Sequence, residues 1–213
     1  MGQAIARLVE SDENLVLSGM WRRGEDLEPV VSSSDVIVDF SLPEATGEVL
    51  AAVVASRVPL VCGVSGLDAE LASALEAASE KIPVVYDRNM SLGIAVLENL
   101  VRQAARALGP RFTVEIHETH HVHKIDAPSG TALKLGEAVA NALGADPERI
   151  KYRSERRGEV PGDHAVIFRS ATESLRFEHS VTTREVFAEG ALQAARWAVG
   201  REPGSYTMHD VLE

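Results

Sequence analysis

From Leu15 to Leu108 the chain alternates short apolar runs with segments of helical period. The runs are Leu15-Val16-Leu17, Val36-Ile37-Val38-Asp39-Phe40, Leu60-Val61-Cys62 and Val84-Val85-Tyr86, and their near-continuous hydrophobicity predicts strands buried on both faces. The segments Pro43 to Ser56, Leu67 to Ser79 and Ile94 to Leu108 are rich in Ala, Leu and Glu with apolar residues three and four apart. They predict helices, the last stopped by Gly109-Pro110. Strands alternating with helices require crossover connections, hence a parallel sheet of doubly wound, Rossmann-like type whose ligands sit at the carboxyl ends of the strands.

Beyond Pro110 the pattern changes. An extended piece, Phe112 to His117, leads into a His-rich turn and one strong helix from Thr131 to Leu143, ended by Gly144. Ala165-Val166-Ile167-Phe168 and the alternating Leu175 to Val181 predict strands of a sheet with one solvated or partner-covered face. The charged stretch Lys151 to Glu159, followed by Pro161-Gly162, predicts a mobile surface loop, with a lid as the alternative. A last Ala-rich helix spans Phe187 to Val199. The fold class is therefore α/β: a doubly wound parallel sheet plus a second α+β domain with an open mixed sheet. The boundaries are residues 1–89 and 185–213 for the first domain and 90–184 for the second.

Composition narrows the partners. The 213 residues are 45% hydrophobic and 25% charged, long enough for one large core or two small ones. No apolar stretch approaches the ~18 residues of a membrane span, and Arg7 and Glu10 interrupt the segment where a secretory signal would be apolar. The net charge of −11 opposes non-specific attraction to nucleic acid or anionic lipid, so an anionic ligand needs a local site. A single cysteine, Cys62, excludes an internal disulfide, reads as a small buried hydrophobe and fits a cytoplasmic location.

Candidate chemistry concentrates between Glu115 and Ala132, which hold four of the seven histidines, at 117, 120, 121 and 123. Each histidine alone reads as a solvated loop residue. Together with Glu115 and Glu118 they suggest a zinc site, but the spacing matches no closed zinc pattern and Lys124 puts a cation beside the ion. The acid/base reading is stronger, and no metal is assigned. Lys124 offers an ammonium to a carboxylate and a proton to a reacting group. Ser129-Gly130-Thr131 opens a helix, either as a simple N-cap or as an anion site of hydroxyls and backbone N–H groups. Beside His120, His121 and Lys124 the carboxylate site is preferred.

The run His120-His121-Val122-His123-Lys124-Ile125-Asp126-Ala127-Pro128-Ser129-Gly130-Thr131-Ala132 resembles the signature of the 4-hydroxy-tetrahydrodipicolinate reductase family. The resemblance extends through Asp39-Phe40-Ser41, Gly63-Val64-Ser65-Gly66, Asn89-Met90-Ser91-Leu92-Gly93, Gly162-Asp163-His164 and Thr183 to Ala191, and so covers nearly the whole chain. It implies reduction of a cyclic imine dicarboxylate in the diaminopimelate route to lysine. It makes His120 and Lys124 the acid/base pair, His121 a substrate contact, and Ser129, Gly130 and Thr131 the substrate-carboxylate clamp. It also implies NADPH or NADH as cofactor, contacted at Gly63, Val64 and Ser65 and at Asp87, Arg88, Asn89 and Met90, and assembly as a homotetramer. The alternatives are a related reductase of another cyclic imine or keto acid, a non-catalytic dinucleotide or metabolite sensor, and a metal-dependent hydrolase.

The chain departs from the family in two places. Family members begin with a strand entering a glycine-rich loop, whereas Met1-Gly2-Gln3-Ala4-Ile5 resembles the end of that loop and its helix, which puts Met1 and Gly2 among the cofactor contacts. The expectation is that Met1 is an internal methionine of a longer protein and that loss of the strand exposes sheet edges and weakens cofactor binding; the alternative is a natural short form. Second, Trp21-Arg22-Arg23-Gly24 stands where a NAD-preferring fold usually puts an acidic residue, and arginines there suit a 2′-phosphate, the alternative being solvated surface arginines. NADPH is expected to serve at least as well as NADH, and Arg22→Ala should lower kcat/KM for NADPH while sparing NADH; an unchanged ratio would leave Arg22 a surface residue.

Overall fold

The computed structural model describes residues 1–213. In chain order its elements are α1 (Gly2–Glu10), α2 (Glu28–Ser32), β1 (Ile37–Asp39), α3 (Pro43–Ser56), β2 (Leu60–Cys62), α4 (Ala69–Ser79), β3 (Pro83–Tyr86) and α5 (Leu92–Leu108). There follow β4 (Thr113–His120), α6 (Gly130–Leu143), β5 (Lys151–Arg156), β6 (Asp163–Arg169), β7 (Ser174–Ser180), α7 (Glu185–Ala198) and β8 (Gly204–Tyr206). The chain divides into two compact units, Met1–Leu92 with Glu185–Glu213, and Gly93–Arg184.

The first unit is built on a parallel sheet in the order β1-β2-β3-β8, with Asp39, Cys62 and Tyr86 in register at its carboxyl edge. Because side chains alternate along a strand, Ile37, Leu60, Cys62 and Val84 meet Val31, Val49, Val53 and Leu75 of α2, α3 and α4 on one side. On the other side α7 crosses the sheet and α1 packs on it through Ile5, Val9, Ala188 and Leu192. Cys62 has no exposed surface, and burial pushes its thiol up to about 12, as suits the small hydrophobe read from sequence.

Leu15-Val16-Leu17 is not a strand, contrary to expectation, and Val16 is 90% exposed. A strand exists only through its ladder, and here the neighbour is missing: β1 is the edge of its sheet, and between it and residues 15–21 lies a cavity of about 310 Å³ lined by side chains such as Ile5, Val9, Leu17, Val38 and Phe40. Two short elements, α2 and β8, carry no periodic signal in the sequence and were not expected.

The second unit is a mixed sheet, β5-β4-β6-β7, in which β5 runs parallel to β4 and the other pairs are antiparallel. Helices α5 and α6 cover one face through Ile94, Leu97, Val101, Leu135 and Val139, which pack on Val114, Ile116, Val166 and Phe168. Glu98 of α5 is only 3% exposed and is held by Arg102 of its own helix and by Lys134 Nζ of α6 at 3.2 Å. Removing either cation would leave a buried charge short of a partner, so this cluster ties the two helices together. The helix α6 begins at Gly130 with Ser129 as its N-cap and ends on Gly144 in the left-handed conformation.

Two expectations for this unit are corrected. Residues 151–156 form strand β5 and not a loop: Lys151 to Arg156 pair with Glu115 to His120 one for one, and the charged composition reflects an edge strand with a solvated face. The strand β4 also runs further than predicted, to His120, so that the turn begins only at His121.

The tightest approach of a helix to a loop is at Gly190 of α7, where a Cβ would stand 1.7 Å from the carbonyl oxygen of Met90, in the segment that follows β3. Gly190→Ala should gain ~1 kcal/mol of helix propensity yet lose more to the backbone clash, for a net destabilisation of roughly 1–3 kcal/mol, read as a lower denaturant midpoint. A midpoint equal to or above the parent's would show that α7 can shift at no cost.

Candidate active site

Strand β4 sorts its side chains by alternation. Val114, Ile116, Glu118 and His120 are buried toward the helices, while Glu115, His117 and Thr119 are only partly covered on the opposite face. The histidine cluster is thereby dispersed. His117 pairs with Glu115 at 3.1 Å, His120 turns inward, and exposed His123 meets Glu159 at 3.4 Å. No group of three or more His, Cys, Asp or Glu residues is arranged to hold a metal ion.

Glu118 is 1% exposed, a carboxylate inside the core. Burial pushes its carboxyl up, but hydrogen bonds from Ser154, His120 and Arg156 outweigh this and hold it below the ordinary carboxylate range. Arg156 Nη1 lies 3.0 Å from both carboxylate oxygens, and the His120 Nδ1–H donates to Oε2. For His120 the balance runs the other way. Desolvation lowers its pKa and outweighs the raising effect of Glu118, and Lys124 and Arg156 add to the lowering. The ring is therefore neutral near pH 7, with Nδ1–H on Glu118 and its Nε2 lone pair on the side of Gly162, where a Cβ would stand 3.0 Å away.

The turn after β4 is pinned by backbone bonds from Arg157 N to His120 O (2.8 Å), Val122 N to Gly158 O (3.1 Å) and Lys124 N to His121 O (3.1 Å). Lys124 Nζ sits 2.7 Å from Asp126 Oδ1. Partial burial pushes the Asp126 carboxyl up, but Lys124 and backbone N–H groups, including that of Gly130, hold it below its ordinary range. An internal carboxylate thus already rests on the lysine and on the first N–H of α6, where the dipole favours an anion.

The cap of α6 joins the same site. Ser129 is 1% exposed; its Oγ accepts from Ala132 N–H at 3.2 Å and lies 3.1 Å from His164 Nε2. Its hydroxyl is thus engaged in the cap and with β6, leaving Gly130 and Thr131 half-buried at the helix start. His164 stands edge-on to His120 with ring centroids 5.1 Å apart. Desolvation, with the neighbouring His120, lowers its pKa to about 3. His121 is half-buried, and its Nδ1 has no partner within the protein.

The expected cofactor residues cluster at the carboxyl edge of the parallel sheet. Gly63 to Ser65 follow β2, and Asp87 to Met90 follow β3. Asp87 and Met90 are buried, Asp87 accepts from Asn89 N–H and Asn89 Oδ1 accepts from Ser91 N–H, so this loop offers backbone and the exposed Arg88 side chain. Met1 is the N-cap of α1; no side chain caps the helix, and Met1 O accepts from the N–H groups of Ala4 and Ile5. Arg22 is exposed in a turn closed by Trp21 Nε1–H to Glu25 O and by Arg22 N–H to Glu25 Oε2. A helix N-terminus beside the aligned ends of parallel strands fits a dinucleotide.

Four residues around His120 escaped the sequence reading as site components: Ser154, Arg156, Gly162 and His164. Glu118 was considered only as a metal ligand. Its signal was present in the alternation Val114, Ile116, Glu118, His120, which puts a carboxylate at a core-facing register, where it requires partners.

A parallel α/β unit joined to a mixed-sheet unit carrying a His/Lys site defines a two-unit α/β reductase of the dinucleotide-binding class. Comparison with known proteins makes this specific. Residues 1–90 match the family described as dihydrodipicolinate reductase, N-terminus, and residues 93–212 match dihydrodipicolinate reductase, C-terminus. The 4-hydroxy-tetrahydrodipicolinate reductase of Alkalilimnicola ehrlichii is 43% identical over 206 residues, covering 89% of this chain and 77% of the relative. That of Wolinella succinogenes is 40% identical over 243 residues, covering 100% and 94%. Among solved structures, a dipicolinate-bound dihydrodipicolinate reductase from Paenisporosarcina sp. TG-14 shares the fold, with a TM-score of 0.79 at 20% identity over 98% of this chain and 94% of that one. The chain belongs to the dihydrodipicolinate reductase family.

The depressed pKa of His164 has a consequence for stability. Between 6.5 and about 3 the unfolded chain binds a proton at this residue that the folded chain refuses, so stability falls as pH drops through that window. In His164→Gln, which retains a hydrogen-bonding group but does not titrate, the acid-side slope of unfolding free energy should be shallower than the parent's by up to ~1.4 kcal/mol per pH unit. Denaturant titrations at a series of pH values check this; parallel slopes would mean that His164 titrates normally in the folded protein.

Proposed function

We propose that this chain reduces 4-hydroxy-tetrahydrodipicolinate to tetrahydrodipicolinate with NADPH or NADH, in the diaminopimelate route to lysine. The observation that supports this reading is that Lys124 lies at the start of α6, where the Asp126 carboxylate already rests on it and on the Gly130 N–H, and that His120 reaches the Ser129 cap through His164.

The small dicarboxylate substrate would place one carboxylate on Lys124 and on the N–H groups of Gly130 and Thr131, displacing Asp126. His121, with an unpartnered Nδ1, is suited to the other polar end, and Ser129 supports the clamp as the cap of its helix. A bound nicotinamide cofactor supplies hydride, and the net reaction also takes up one proton and releases water. The Lys124 ammonium is the proton donor that quenches the negative charge left on the ring. Neutral His120, its Nδ1–H committed to Glu118, offers Nε2 as the partner that accepts and returns a proton. The cofactor would lie along Met1, Gly2, Arg22, Gly63, Val64, Ser65, Asp87, Arg88, Asn89 and Met90. Assembly as a homotetramer and a cytoplasmic location complete the proposal. The outer face of the β4–β7 sheet carries no helix of its own, and the lone thiol Cys62 is buried.

The test is oxidation of NADPH and of NADH with the substrate generated in situ by its synthase. His120→Ala and Lys124→Ala should each lower kcat by at least ~100-fold with cofactor binding retained. If the parent binds NADPH in a fluorescence titration but shows no turnover, a non-catalytic dinucleotide-binding protein is the correct reading. Light scattering gives the assembly; a monomeric mass would reject the tetramer.

A further inference from the structure

We infer that Arg156, acting through Glu118, is the positioning residue that sets the ring state of His120 and the place of Lys124. The inference deepens the reading of His120 and Lys124 as the acid/base pair and rests on it. One guanidinium reaches three things at once. Its Nη1 contacts both Glu118 oxygens at 3.0 Å, its Nε–H donates to Lys124 O at 3.2 Å, and its Nη2 donates to Asp126 O. The first pair of contacts orients the carboxylate that accepts from His120 Nδ1–H, and the other two fix both ends of the short run that carries the Lys124 ammonium.

The arrangement depends on β5 being a strand. Parallel pairing sets Ser154 opposite Glu118 and Arg156 opposite His120, so both β5 side chains reach the carboxylate from the same side. A carboxylate with 1% exposure cannot recruit water as a substitute, and a guanidinium offers a planar fork that an ammonium lacks. With Nδ1–H fixed on Glu118, the His120 lone pair is confined to Nε2. The charged and titratable groups around the ring are Glu118 on its own strand, Arg156 from β5, His164 from β6 and Lys124 from the turn.

The variants Arg156→Lys and Glu118→Gln separate positioning from bulk stability, because the first keeps the charge and the second keeps the shape. Nitrogen-15 spectra of histidine-labelled full-length chain read the His120 tautomer and pKa without any turnover. The parent should show the Nδ1–H tautomer. In Glu118→Gln the His120 pKa should fall, since the carboxylate that raises it is gone, and the corresponding limb of the kcat profile should move to lower pH. In Arg156→Lys kcat should drop about tenfold or more and KM for substrate should rise, with KM for cofactor unchanged. Unaltered tautomer, pKa and kcat in both variants would overturn the inference, as would losses that follow the thermal midpoint alone. If the ring state shifts as described while His120→Ala turns over normally, the positioning holds and the acid/base reading fails.

Discussion

A carboxylate buried on the middle of a strand constrains the second unit more than any apolar contact does. Glu118 stands at a register where Val114 and Ile116 pack against helices, and an unpaired charge there would cost several kcal/mol. Its remedies come from three places in the sequence: His120 on the same strand, and Ser154 and Arg156 on β5. Each is drawn to a fixed position by the same oxygens. The parallel register of β5, the inward turn of the His120 ring and the course of residues 124–126 are thus solutions of one electrostatic problem. The chemistry proposed for the site uses groups that the charge has already ordered.

The cap of α6 adds a second, neutral layer to this arrangement. Ser129 satisfies an orphan N–H of the helix and is itself in contact with His164, whose ring abuts His120. His164 resists protonation chiefly because it is buried, an effect that outweighs the raising influence of Glu118, so it remains a polar but uncharged wall. Without it, the helix start would rest on Ser129 alone and the His120 ring would lose its edge-on neighbour. Precision at the proposed acid/base pair therefore rests on supports outside the two groups themselves.

Much of the architecture was legible because most elements announce themselves locally. Pro43 to Ser56 reads as a helix and is one, and the runs at 60–62 and 84–86 are strands buried on both faces. Leu15 to Leu17 has the same composition and is not a strand, since ladder pairing is a property of neighbours and none lies beside it. The stretch 151–159 fails in the opposite sense. An edge strand with a wet face carries the charges of a loop, and only the alternation of Arg153 and Glu155 with Ser154 and Arg156 hints that the two sets face different ways. At the site, the signature run marked His120, Lys124 and the start of α6, whereas Arg156 was invisible because its role lies in contacts 30 and more residues away along the chain.

Asp126 shows what the proposed clamp would select. Its carboxylate sits on Lys124 and on the N–H of Gly130, although its side chain is more than half exposed and free to extend into water. An exposed ion pair is worth little, so its place there reflects the field of an ammonium and a helix N-terminus acting together. On the proposed assignment, a substrate carboxylate entering here would exchange one anion for another, without leaving the lysine and helix end uncompensated. Such an exchange lowers the net gain of binding a single carboxylate. A ligand that displaces Asp126 must bring further contacts, and a second polar end within reach of the unpartnered His121 nitrogen supplies one. On the proposed assignment, a dicarboxylate is favoured over a monocarboxylate through the competitor that the chain itself carries.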